Sequence, residues 1–231
     1  MTDSALRELA DDPSSRKRFL KMMGGAGAVS AFGVLLAACG DDDKKDAGST
    51  STPAASSDDG MKEDLAVLNY ALTLEFLEAR FYKQVIESGI VKDPKVGSIA
   101  KKFGQSEQEH VEALKATITK LGGTPVKAPA TKFEETLEKG LTAVLETAAD
   151  VENLGAAAYL GAAGRITNKE VLAAALAIHS VEARHAAALN QLLGRGFGGK
   201  KGGLNGTIPD GAFAKGMDEA AVLAAVKPFL A

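Results

Sequence analysis

The chain has 231 residues, 45% hydrophobic, 25% charged and 5% aromatic, with 27 basic and 30 acidic side chains and a net charge of −3. That is apolar material for one domain of ordinary size, or two small ones, and too much for a mostly disordered protein. No basic stripe runs along it, which argues against a nucleic-acid partner, and a single cysteine without tryptophan excludes a disulfide scaffold and a cysteine zinc site. Alanine is abundant and β-branched runs are scarce, so the expected fold class is all-α.

Residues 1–38 read as an address. Ser15-Arg16-Lys17-Arg18-Phe19-Leu20-Lys21 precedes the weakly apolar stretch Met22 to Ala38, a charged region followed by a short hydrophobic one, as in a secretory signal. The charged string resembles the twin-arginine export motif, with Lys17 where the second arginine would stand. Leu36-Ala37-Ala38-Cys39 resembles a bacterial lipobox, which implies that Cys39 is lipidated and becomes the mature N-terminus. The competing reading is an uncleaved anchor, for which 17 residues is short. Residues 39–60, rich in Asp, Ser, Thr, Ala and Gly, predict a flexible tether of roughly 25 Å r.m.s. span. The mature chain is then expected at a membrane surface, outside the cytoplasm, held by lipid rather than by a span.

Residues 61–231 carry the fold. The first helix is predicted from about Met61 to Ser88, stopped by Gly89. The second opens on Asp93 with Pro94 in its first turn and ends at Gly122-Gly123. The third opens either at Thr131, which has capping-box spacing to Glu134, or after Gly140, and ends near Gly164. The fourth opens with a second such pair, Thr167 and Glu170, and ends at Gly194. A Gly-rich loop follows, and then a short C-terminal helix capped by Asp218 and ended before Pro228. The first two and last two helices are joined by short connections, hence antiparallel hairpins; the longer middle connection predicts a crossover between two parallel neighbours.

The core stripes of these helices carry charge. On the first, Leu65, Leu68, Leu72, Glu75, Ala79, Tyr82 and Ile86 are spaced alternately by three and four, one seam of a bundle helix. The second places Glu107 and His110 mid-seam between Phe103 and Leu114; the third places Glu152 between Ala148 and Gly155. The fourth repeats the Glu-x-x-His pair as Glu182 and His185. Four unpaired buried carboxylates repel and cost several kcal/mol each, whereas two divalent cations suit four carboxylates and two neutral imidazoles. With 16 Glu in the chain, two Glu-x-x-His pairs among three histidines are a rare coincidence, and a solvated face would not place all six mid-seam. There is also an internal repeat: Tyr82 follows Glu75 by seven residues, and Tyr159 follows Glu152 by seven. Each phenol is positioned either to hydrogen-bond a ligand carboxylate across the bundle or to sit as an ordinary core tyrosine.

One Glu on each of two helices plus Glu-x-x-His on each of the other two resembles the ligand set of ferritin-like dimetal carboxylate proteins. The strings Leu68 to Ala79 and Ala157 to Ala163 resemble the exported branch of that superfamily, which includes plant desiccation-related proteins. The resemblance implies a ferritin-like four-helix bundle with a long crossover between its second and third helices. It also implies two divalent metal ions, Fe or Mn, on Glu75, Glu107, His110, Glu152, Glu182 and His185. Glu78 rivals Glu75 but lies off the seam beside Arg80; His179 flanks the stripe; Glu109, Glu112 and Glu146 fall on solvated faces. Three functions remain open: redox handling of oxygen or peroxide, a non-enzymatic stress protein with a metal-stabilised bundle, and iron storage. Storage ranks last because a tethered chain suits a closed shell poorly. The small residues around Gly155 and Gly161 predict either a cavity beside Glu152 or close helix packing.

Overall fold

Low β-branching, apolar seams and well-formed caps give the chain long helices. The computed structural model describes residues 58–195 and 213–231; the leader, Cys39, most of the tether and the Gly-rich loop lie outside the described residues. Helix α1 spans Asp58–Ser88, α2 Pro94–Lys120, α3 Glu134–Glu138, α4 Leu141–Ala162, α5 Lys169–Leu192 and α6 Glu219–Val226. Short 3-10 turns follow at Ala163–Arg165 and Lys227–Phe229. The only bridge among the described residues joins Thr131 to Leu230. None of the described helices is long and apolar enough to cross a membrane.

The ends follow local chemistry. Asp93 caps α2 by accepting from the amides of Lys95 and Val96, with Pro94 in the first turn. Asp218 caps α6 through the amide of Ala221. One open choice is settled and one expected cap is corrected. Thr131 does not open a helix: it is tied to Leu230, α3 is a separate single turn, and the main helix starts after Gly140, whose φ of 94° stops the chain continuing helically. Thr167 is not the cap of α5 either. Its hydroxyl is spent on Asp64, and Asn168 accepts from the amides of Glu170 and Val171 instead.

Helix α1 packs along α2 and α4 along α5, with α1 also facing α4 and α2 facing α5. Reciprocal contacts, residue 82 to 152 and residue 159 to 75, make α1 antiparallel to α4. Since α1 is also antiparallel to α2, α2 and α4 are parallel. The crossover therefore joins parallel helices, but diagonal ones; the neighbours in contact are α1 with α4 and α2 with α5. This is an all-α ferritin-like bundle. Its core includes Leu72, Leu77, Phe81, Ile118, Val144 and Ile178, each no more than 2% exposed and each worth about 1.5–3 kcal/mol of burial. The seams fray at the ends, where Ile86 and Leu192 are exposed.

The C-terminus closes the crossover. Lys132 N donates to Phe229 O at 3.0 Å and Ala231 N to Ala130 O at 3.0 Å, while Phe133, fully buried, lies between Phe81 and Phe229. Near its start the same segment presses on α4: Met217 N donates to Ala157 O at 2.9 Å, and a Cβ on Gly161 would fall 1.9 Å from Met217 O. At that position the small residue serves close packing.

Candidate metal centre

The mid-seam charges meet in one layer of the bundle. Glu75, Glu107 and Glu182 are fully buried, Glu152 is 1% exposed, and His110 and His185 are 7% and 6% exposed. Nδ1 of His110 lies 2.8 Å from Glu107 Oε2, 3.1 Å from Glu75 Oε2 and 3.3 Å from Glu182 Oε1. Nδ1 of His185 lies 2.9 Å from Glu107 Oε1 and 3.1 Å from Glu152 Oε2. Phe103 stacks on the His185 ring, centroids 3.7 Å apart, and fixes its plane.

These distances describe two overlapping donor sets. Glu75, Glu107, His110 and Glu182 form one; Glu107, Glu152, Glu182 and His185 form the other; within each, the ligating atoms lie within 4.8 Å of one another. Glu107 and Glu182 belong to both. A single imidazole N–H cannot satisfy three carboxylate oxygens, and neither oxygen of Glu182 nor Oε1 of Glu107 has an aligned hydrogen bond. Such oxygens cost free energy in a protein interior unless a cation meets them. The donor chemistry, carboxylate with imidazole, suits iron, manganese or zinc. Each set could hold a metal ion.

The phenols complete the repeat. Tyr82 Oη donates to Glu152 Oε1 and Tyr159 Oη to Glu75 Oε1, each at 2.5 Å. Each tyrosine therefore holds the glutamate of the other half of the bundle, orienting that carboxylate's second oxygen toward a histidine.

Electrostatics show what protons alone must do here. Burial, reinforced by the neighbouring carboxylates, pushes Glu182 and Glu78 well above the usual carboxylate range. Burial likewise raises Glu75 and Glu152. Burial also acts to raise Glu107, but hydrogen bonds from His110 and His185 outweigh it and hold the group at about 2. For the imidazoles burial opposes charge, yet the surrounding carboxylates lift His185 to about 9 and raise His110 well above its ordinary value. Without a metal, protons are the cations that bind this layer.

Residues 63–195 match the family profile of the ferritin-like domain. The chain belongs to the ferritin-like domain family. No curated protein matches it.

Glu78 was placed off the seam by spacing, yet this ferritin-like protein buries it, 2% exposed, against the same layer, with Glu182, Glu75, Glu152 and Glu107 all acting on its charge. Helix α1 is covered from two sides, by α2 and α4, so its buried arc is wider than one seam. His179 stays outside the layer, with Nδ1 2.9 Å from Ala156 O. At Gly155 the small residue allows a close approach, since a Cβ there would fall 2.9 Å from both Glu78 Oε1 and Glu182 Oε2. An apolar cavity of about 20 Å³ lies against Phe81, Tyr82, Val85, Val144, Ala148 and Leu189.

Proposed function

We propose that this is an envelope-tethered ferritin-like protein holding a dinuclear Fe or Mn centre on Glu75, Glu107, His110, Glu152, Glu182 and His185, and handling oxygen or peroxide. The observation that carries the reading is the sharing of Glu107 and Glu182 between two donor sets, each closed by its own Glu–His pair. Two redox-active ions held by these residues would supply two-electron chemistry toward a small oxidant. The chain's part is to hold four carboxylates and two Nδ1 atoms in one layer, to keep bulk water from it, and to fix Glu152 and Glu75 through Tyr82 and Tyr159.

Turnover tests this. Full-length protein loaded with Fe(II) or Mn(II) should consume oxygen or hydrogen peroxide faster than the same metal free in solution. Glu152→Ala and His185→Ala should abolish that rate, and Glu109→Ala should retain it. A rate no better than free metal would leave the second reading, a stress or desiccation-related protein whose metal only stabilises the bundle. The near-complete burial of all six side chains favours that reading equally.

The tether belongs to the same proposal. The lipobox-like Leu36 to Cys39 and the Asp- and Ser-rich stretch after it support a lipidated mature N-terminus, and Arg16-Lys17 supports export in the folded state. Cys39→Ala should shift the protein out of the membrane fraction or leave it unprocessed; unchanged mass and fractionation would remove the lipid anchor.

A further inference from the structure

The two halves of the internal repeat differ at one informative place. Glu75, Glu78 and Tyr82 of α1 align with Glu152, Gly155 and Tyr159 of α4. The carboxylate of the first half is matched by a glycine in the second. A Cβ on Gly155 would fall 2.9 Å from Glu78 Oε1 and 2.9 Å from Glu182 Oε2. Those two oxygens thus share the space that a methyl group would fill. Any residue other than glycine at 155 would push one carboxylate or both out of the layer.

Glu78 lies inside the bundle at 2% exposure and makes no salt bridge among the described residues; Arg80, the nearest cation in sequence, is on the exposed side. Glu182 is fully buried, and Oε2, the oxygen that faces Glu78, has no hydrogen-bond partner. Two carboxylates directed into one space, one of them unpartnered, are a cation-binding arrangement rather than a packing one. The second half of the bundle has no equivalent of Glu78.

We propose that Glu78 is a seventh ligand, an additional carboxylate beside Glu182 Oε2 that serves one of the two metal ions, housed in the space that Gly155 leaves and making the two metal positions inequivalent. The inference rests on the dimetal reading above. An ion receiving an extra anionic oxygen binds more tightly than its neighbour, so the pair fills in two steps rather than one. The asymmetry is written into the sequence as Glu at one repeat position and Gly at the other.

Mn(II) titration of the full chain, followed by calorimetry and by electron paramagnetic resonance, tests this. Wild type should take up two ions with distinguishable affinities and give the spectrum of a coupled pair at saturation. Glu78→Gln, which keeps the shape and removes the charge, should weaken one ion at least about tenfold and leave the other near its wild-type affinity, so that an isolated-ion spectrum appears at intermediate metal. Glu78→Ala, which removes the carboxylate and leaves Glu182 untouched, should show the same one-ion loss; it decides the matter if Glu78→Gln does not fold. Wild-type affinities for both ions in either folded variant overturn the proposal. If Glu78 only donated a proton to Glu182, the amide of Gln would replace it and both ions would stay. A wild-type chain that binds no Mn(II) or Fe(II) at all would instead remove the dimetal reading itself.

Discussion

Asp64 and Glu75 are buried acids three turns apart on the same helix, and their surroundings are completed in opposite ways. Asp64, 1% exposed, accepts from Thr167 N at 2.7 Å, Thr167 Oγ1 at 2.9 Å and Asn168 N at 3.0 Å. One carboxylate meets three donors, and the loop before α5 is pinned to the start of α1. Around Glu75, five buried carboxylates share two imidazoles and two phenols, and three of their oxygens have no aligned partner. The first region is finished by the chain itself. The second is short of positive charge, and that shortage separates a structural acid from a binding acid when both are equally buried.

The sharpest way to break the comparison is to remove metal. An ion bound only by the folded state at a hundredfold excess over its dissociation constant adds about 2.7 kcal/mol. Chelation should therefore lower the melting temperature by about 5–10 °C for a chain of this size. Glu182→Gln should abolish that difference, yet its metal-free form should melt above metal-free wild type, because Gln is neutral without the proton that buried Glu182 must take up. Asp64→Ala should do the reverse. It leaves two amides and a hydroxyl without their acceptor, costs about 2 kcal/mol, and costs the same with and without metal. Calorimetry of the two variants in chelator and in Mn(II) checks both. Equal metal dependence in wild type and Glu182→Gln would erase the distinction.

The distinction was half legible in the sequence. The alternating spacing of three and four puts Glu75, Glu107, Glu152 and Glu182 in the seams, and all four are buried. Asp93 and Asp218 were readable as caps because an Asx cap acts on amides two or three residues away. Thr167 was not, because its hydroxyl is claimed by Asp64 from 103 residues earlier, and only the tertiary fold brings the two together. The burial of Glu78 is illegible for a related reason: one seam describes a helix with one neighbour, and α1 has two. The cross-bundle pairing of each tyrosine with the other half's glutamate depends on the antiparallel register of α1 and α4, which no local signal carries. The signal that could have exposed Glu78 was the repeat itself, with glycine standing at its partner position.

The smallest effect per step is with pH, and its sign differs between the metal-free and metal-bound protein. In the metal-free chain the carboxylates of Glu75, Glu78, Glu152 and Glu182 are raised by burial, so their contribution to stability is present below the ordinary carboxylate value of 4.5 and is lost as pH rises through their raised values. His185 contributes fully below 6.5 and loses its contribution as pH rises through about 9; His110 acts in the same direction. Glu107, held at about 2, contributes above 4.5 and weakens only in strong acid. As pH rises from 5 toward 9 the folded metal-free chain thus holds more protons than the unfolded one, and its stability should fall. Bound metal replaces those protons and needs the ligands deprotonated, so over the same range the loaded protein should gain stability as pH rises. Melting curves from pH 5 to 9, in chelator and in Mn(II), should diverge steadily. A metal-free protein that grows more stable toward pH 9 would mean that the carboxylate layer is not the proton-binding cluster the geometry describes.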